Sequence, residues 1–220
     1  MSVRRTYDAV ARAYDEALRD ELDHKPLDRA LLAAVTELAG EGTLADVGCG
    51  PGHVTRFLAA RRPDVLGVDL SPAMAGIAGR HAPEQRFAVA SMLELPVGDA
   101  AWAGAVALYS IIHLDPGERA VAFRELARVL RADAPLLVSF HVESAEVAAG
   151  GVTHLSTWFG EAVDVDVRFL DPAGVRGEIV AAGFRVEATL LREPVAGREF
   201  PSRRAYLLAR RSAEGQGGAD

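Results

Sequence analysis

Between Thr43 and Met74 the chain reads TLADVGCGPGHVTRFLAARRPDVLGVDLSPAM. An apolar run ends at an aspartate, three glycines follow at alternate positions, a helical pattern comes next, and a second apolar run ends at another aspartate. Two short strands separated by a helix cannot close as a tight hairpin. They pair in parallel through a crossover, which is right-handed in nearly all proteins. This single stretch restricts the chain to α/β architectures with helices covering a parallel sheet.

The alternation continues on both sides. Leu27 to Ala39 has helical spacing and stops at Gly40. Thr43–Val47 and Asp64–Asp69 are the first two strands, with Val54, Phe57 and Leu58 on one face of the helix between them. Ser71-Pro72 reads as an N-cap followed by proline at the first helical position. Gln85–Ala90 is a third strand, and Gly104–Tyr109 (GAVALY) a fourth, apolar enough for the middle of a sheet. Asp115-Pro116-Gly117-Glu118 opens a helix with a capping-box pattern and an inner face of Phe123, Leu126 and Leu130. Pro135–Phe140 is a fifth strand, and the segment 142–170 is less regular. Asp171-Pro172 caps a helix that Gly183 ends. Phe184–Leu191 and Arg203–Arg210 are joined by a Pro/Gly loop too short for a helix, so they should form an antiparallel hairpin. The expected fold class is α/β, a doubly wound, mostly parallel seven-stranded sheet ending in that hairpin, with helices on both faces. Residues 1–211 read as one domain, with 1–40 as an N-terminal helical cap, 142–170 as an insertion, and 212–220 as a disordered tail.

Composition narrows the function classes. With 220 residues, the chain supports one sizeable core. A net charge of -7 argues against a partner with a phosphate backbone. The single cysteine, Cys49, allows neither an intrachain disulfide nor a cysteine-based zinc site, and fits a cytoplasmic setting. The charged N-terminus has no signal-peptide core, and no apolar run is long enough to span a bilayer. The expected partner is therefore a small molecule, with no nucleic acid and no membrane, and the chain is expected to act as a monomer or homodimer.

In an open parallel sheet, ligands bind beyond the carboxyl ends of the strands, where the strand order switches. Gly48, Gly50 and Gly52 follow the first strand there, letting the backbone turn tightly and touch a ligand. Their spacing is G-x-G-x-G, whereas the dinucleotide fingerprint is G-x-G-x-x-G. Asp46 just before them would repel a diphosphate and suit a ligand with a cationic group, or else cap the turn. Asp69 ends the second strand, where an acid accepts hydrogen bonds from ribose hydroxyls.

LADVGCGPGHVT followed by VLGVDLSPAM resembles the class I S-adenosylmethionine (SAM)-dependent methyltransferases, and the resemblance extends from YDAVARAYDE to RRAYLLARR. It implies a Rossmann-like fold, SAM as cofactor and S-adenosylhomocysteine as product. It places Gly48 and its neighbours at the methionine part, Asp69 and Leu70 at the ribose, and Ser91 and Met92 (in ASMLELP) beside adenine. The family often has Asp where Ser91 stands, so a neutral and weaker contact is implied. ALYSIIHL, with Tyr109, resembles the segment beneath SAM, and Met74 lies near the site. Tyr14 and Lys25 match residues that close over the methionine carboxylate, with Tyr7 and Arg12 as further matches. The implied activity is in-line methyl transfer to an O, N or C nucleophile of a small organic acceptor. YSIIHL carries neither the Pro-Pro-aromatic nor the Pro-Cys motif of DNA-modifying relatives.

Several residues read two ways. His113 and His141 follow the fourth and fifth strands and are candidate general bases or hydrogen-bonded structural histidines. His154, Trp158 and Phe159 form either a surface cluster or an aromatic lid over the substrate. The acids among Glu161–Val167 read as a solvated strand face, with no metal ligand set, and Arg203 and Arg204 as surface charges. Cys49 and Met92 also suit simple packing. Two other functions stay open: a SAM-binding protein that transfers no methyl group, and a nicotinamide-dependent oxidoreductase.

Overall fold

The computed structural model describes residues 2–213, so all but the first two residues of the expected tail over 212–220 lie outside the described residues. The N-terminus folds as α1 (Val3–Leu18), which a short 3-10 turn joins to α2 (Pro26–Leu38). Then the expected alternation appears: β1 (Thr43–Val47), α3 (His53–Ala59), β2 (Val65–Asp69), α4 (Pro72–His81), β3 (Arg86–Val89) and β4 (Trp102–Leu108). It continues through α5 (Pro116–Val129), β5 (Pro135–Ser144), β6 (Val152–Trp158), β7 (Glu161–Arg168), α6 (Pro172–Ala181), β8 (Phe184–Arg192) and β9 (Ser202–Arg211).

Seven of these strands form one sheet in the order β3-β2-β1-β4-β5-β9-β8. β1 pairs in parallel with β2 and β4, and β5 continues the parallel set. β9 runs antiparallel between β5 and β8. The chain moves outward from β1 through β2 to β3, then returns to place β4 on the other side of β1. That reversal leaves a crevice at the carboxyl ends of β1 and β4.

Strand parity divides the core. Ala45, Ala105 and Leu136 face one layer, with Phe123 and Leu126 of α5 and Ile179 of α6. Their chain neighbours Leu44, Val106 and Leu137 face the other, with Leu32 and Val35 of α2 and Leu58 of α3. Helix starts carry the expected caps. Ser71 accepts from the Met74 amide, Asp171 from Gly174, and Asp115 with Glu118 forms a complete capping box.

The segment 142–170 corrects the expectation of irregular structure. β5 runs on to Ser144, and β6 and β7 form a separate antiparallel hairpin, His154 facing Asp166 in its register. Alternation in EAVDVDV is the alternation of a one-sided strand, with Val163 and Val165 buried. The two-residue tip, Phe159-Gly160, has φ of 51° and 82°, as a type I′ turn requires. Among the described residues no helix is long and apolar enough to cross a membrane.

Helix α1 is held to α4 by polar clamps. Asp8 accepts from the Ser71 hydroxyl at 2.5 Å and from the Ala73 amide at 3.2 Å, and Asp15 meets the His81 ring at 2.9 Å. This fixes the stripe Val3, Tyr7, Tyr14 over the carboxyl ends of the strands.

Gly52 is where the crossover depends on glycine. Its φ is 84°, and a Cβ there would lie 2.8 Å from the Ala78 Cβ of α4. Gly52→Ala is expected to lower stability by about 2–4 kcal/mol, from combined backbone strain and overpacking. Gly40, with nothing within 4 Å of a built Cβ, is the control. Urea denaturation of Gly52→Ala and Gly40→Ala checks this, and equal midpoints would refute it.

Candidate functional site

A cavity of about 190 Å³ opens at the crevice between β1 and β4. Its floor is the tip of each strand: Val47 and Gly48 from β1, Val68 and Asp69 from β2, Ala90 after β3, and Leu108 and Tyr109 from β4. The Asp69 carboxylate is the keystone. One oxygen accepts from the Gly50 amide and the other from the Ser71 amide, each at 2.8 Å. The acid thus pins the glycine turn to the start of α4, and its remaining lone pairs are left for a ligand. Burial raises its pKa, and the backbone hydrogen bonds from Ser71 and Gly50 oppose the rise.

Gly48 and Gly50 leave room for different reasons. A Cβ on Gly48 would strike Ser110 Cβ at 2.3 Å, so the turn lies directly against the segment after β4. A Cβ on Gly50 would meet only Tyr14, at 3.9 Å, and would occupy the cavity itself. A smaller pocket continues from these glycines to Asp46, Glu21 and His53. Asp46 is buried and accepts from the Thr55 hydroxyl at 2.6 Å. Burial is the largest effect on it and, against the Thr55 hydrogen bond, pushes its pKa up to about 6.

The roof comes from α1 and the β6–β7 hairpin. The Tyr7 hydroxyl lies 2.6 Å from His113 Nε2, and His113 Nδ1 lies 2.8 Å from the Asp166 carbonyl. A carbonyl only accepts, so Nδ1 carries the hydrogen and Nε2 accepts from Tyr7. Burial lowers the His113 pKa and keeps this neutral tautomer. Trp158 stands edge-on to Tyr7 and Tyr14, each at 5.5 Å between ring centres.

Beyond a wall formed by Tyr7, Tyr14 and Tyr109 lies a second cavity of about 240 Å³, reaching Trp158, Phe159 and His141. Tyr109, with φ of 54°, is anchored by a hydrogen bond of 2.8 Å to the Tyr206 hydroxyl, which donates to Asp28 at 2.7 Å. His141 Nδ1 is 2.6 Å from the Ser202 hydroxyl. Burial, then Arg204 and Lys25, lower the His141 pKa to about 3.

Known proteins can now be compared with this geometry. A family model described as a methyltransferase domain matches residues 44–133, the span from β1 to the turn after α5. Over that span the chain carries a methyltransferase domain. Trans-aconitate 2-methyltransferase of Rhodopseudomonas palustris (strain HaA2) is 35% identical over 127 residues, covering 54% of this chain and 49% of that protein. The chain spans about a third to a half of the length of the first curated relatives it matches. A SAM-dependent methyltransferase structure from Methanosarcina mazei superposes with a TM-score of 0.72 at 18% identity, covering 82% of this chain and 98% of that one. Geranyl diphosphate C-methyltransferase from Streptomyces coelicolor A3(2), crystallised with Mg²⁺, geranyl diphosphate and S-adenosyl-L-homocysteine, gives 0.63 at 17% identity, covering 84% and 77%. Solved structures of this fold hold S-adenosyl-L-homocysteine or sinefungin.

The methyltransferase fold brings most of the expected residues together. Tyr14, Gly48, Gly50, Asp69, Leu70, Ser91, Met92, Tyr109 and His113 all line the first cavity. Asp46 lies in its smaller extension. Others are placed elsewhere. Met74 is fully buried beside Ala11 and Ile77 and is a core residue. Gly52 faces α4, not the cavity. Lys25 lines the second cavity, held by Glu21 at 2.5 Å and Glu199 at 3.1 Å, and so is not free to close over the first. His154 points outward to Asp166 and is about half exposed, whereas Trp158 and Phe159 line the second cavity. Arg12 is exposed. Arg204 is 3% exposed, against its reading as a surface charge, while Arg203 is half-exposed. His113 lacks the free ring nitrogen that a base needs, because Tyr7 occupies it.

Three features escaped the sequence reading. Ser110 lines the first cavity with a buried hydroxyl that has no partner among the described residues. Glu21 joins Lys25 to His53. Glu199 gathers Lys25, Arg192 and Arg204. Parity along β9 could have revealed Arg204, which shares a face with the buried Tyr206.

The raised Asp46 pKa makes the ligand-free protein sensitive to pH. The folded acid holds a proton up to about pH 6, whereas the unfolded acid loses it near pH 4. Its contribution is therefore full below about pH 4 and is lost as pH rises to about 6. Asp46→Asn keeps the acceptor for Thr55, and is expected to be more stable than the parent at pH 7 by roughly 1–3 kcal/mol, with a flatter profile between. Thermal unfolding from pH 4 to 7 measures this. Unchanged slope and stability in the variant would rule it out.

Proposed function

We propose that this protein binds SAM in the first cavity and moves its methyl group to a small organic acceptor in the second. The observation that carries the reading is the Asp69 carboxylate, fixed by the Gly50 and Ser71 amides at a strand tip inside the cavity. Bound SAM supplies a methyl group made electrophilic by a positive sulfur. The chain binds, orients and excludes water.

Asp69 would accept from both ribose hydroxyls. Ser91 and Met92 would lie beside adenine, and Ser110 offers a further unused hydroxyl. Asp46 and the Gly48–Gly50 turn suit the ammonium end, since a buried carboxylate gains from a cation beside it. The same carboxylate would repel the diphosphate of a nicotinamide cofactor. Tyr7, Tyr14 and Tyr109, shared by the two cavities, present ring faces and edges where a sulfonium would sit. The β6–β7 hairpin acts as the lid, with Trp158 and Phe159 at its tip.

Holding acceptor and methyl donor in line supplies up to about 7–11 kcal/mol of the barrier reduction. Proton abstraction has little support here. His113 spends Nε2 on Tyr7, and His141 is too weak a base. The reading therefore favours a nucleophile that is already ionised or carries a free lone pair. His113 is a positioning residue that fixes Tyr7 under the lid.

Asp69→Ala is expected to weaken SAM binding 10- to 100-fold in calorimetry, with the thermal midpoint unresponsive to NAD in parent and variant. Parental SAM affinity in the variant would defeat the assignment. The kcat of the active enzyme is expected to be flat from pH 6 to 9. An ascending limb in that range, abolished by His113→Ala, would restore His113 as the base.

A further inference from the structure

The second cavity has its own chemistry, which the domain match leaves unspecified. Its walls are rings. Trp158 stacks on Phe159 at 5.3 Å, Tyr109 lies 5.1 Å from His141, and Phe200 is 5.9 Å from His141. Flat apolar walls of this kind suit a planar apolar molecule.

Charge is unevenly placed among those rings. Lys25, Arg198 and Arg204 line the cavity, against the carboxylates Glu21 and Glu199. Lys25 is shared by both carboxylates, and Arg192 and Asp28 pair with each other behind Glu199. The buried charges balance, and the one positive charge left over is that of Arg198. Arg204 is 3% exposed, with its two terminal nitrogens held by the carbonyls of Ser202 and Phe200. Its Nε is 3.3 Å from a Glu199 oxygen but outside hydrogen-bond geometry, so that buried N–H has no hydrogen-bond partner among the described residues. Arg198 is exposed at the mouth. A buried, unsatisfied guanidinium N–H and an uncompensated cation are both relieved by an anion.

Resting on the reading of the first cavity as a SAM site, we propose that the second cavity takes a planar aromatic acceptor bearing one carboxylate, directed at Arg204 and Arg198. A single excess positive charge does not match a polycarboxylate, and the ring-lined walls offer little to solvate further carboxylates. The substrate named for the trans-aconitate relatives is in this respect a poor fit to this chain's cavity.

The test is calorimetry on the full chain saturated with S-adenosylhomocysteine, whose own binding is measured first. The probes are 4-hydroxycinnamate, its neutral alcohol, and trans-aconitate. The monocarboxylate is expected to bind about 10-fold or more tighter than either of the others. Arg198→Gln, at an exposed position, should erase the preference for the acid while leaving alcohol binding within about 2-fold. Trp158→Leu should weaken acid and alcohol alike. Equal binding of the alcohol, tighter binding of trans-aconitate, or no binding of any probe to the saturated protein overturns the proposal while leaving the SAM site intact. Failure of S-adenosylhomocysteine itself to bind overturns the underlying reading instead.

Discussion

A carboxylate bridging two backbone amides holds this site together. Asp69 stands at the end of β2 and joins the glycine turn after β1 to the first turn of α4. Beyond the Gly48 and Cys49 amides, which donate to the Val68 carbonyl, the turn has little restraint of its own, because Gly48, Gly50 and Gly52 all have positive φ and little intrinsic preference. The carboxylate supplies the missing restraint and is partly desolvated in doing so. A residue that shapes the cavity also offers its unused lone pairs to whatever enters. The shape of the cavity therefore depends on one charge.

The same economy recurs in the roof. Tyr7 and Tyr14 are one heptad apart, so they leave the same face of α1, and Asp8 and Asp15 fix that face over the strand tips through α4. Tyr7 then hydrogen-bonds His113, which reaches the β7 backbone at Asp166. Helix, strand-end segment and hairpin are thereby linked through one neutral imidazole. Between the cavities, Tyr109 is fixed by Tyr206 and Asp28. The dividing wall is built from phenol groups that burial keeps protonated.

The sheet was readable because it rests on local rules. A buried parallel strand needs an apolar run, and the helix starts at Ser71, Asp115 and Asp171 each carry a side chain that caps in the structure. Asp69 and the glycine turn were readable because the strand tip places them. The failures have one cause in common: they depend on which way a side chain turns. Met74 and Gly52 lie close in sequence to cavity-lining residues but point into the α1–α4 and α3–α4 packing. His154 sits on the outer face of its strand. Lys25 and Arg204 are buried through Glu199, which is 174 residues after Lys25 and only five before Arg204, a pairing that no local pattern announces. The 142–170 segment looked irregular because its hairpin forms a separate two-stranded sheet instead of joining the main one.

Helix α1 is fastened unequally along its two edges. Toward α4 it is held by charged and hydroxyl groups, at Asp8 with Ser71 and Asp15 with His81. Toward the hairpin, apart from the single Tyr7–His113 link, it meets Trp158 and Phe159 through ring edges, worth about 0.5–1.5 kcal/mol per pair. The softer seam runs directly above the tyrosine partition. A crack opening along it would widen both chambers in one motion, against aromatic contacts and not against charge.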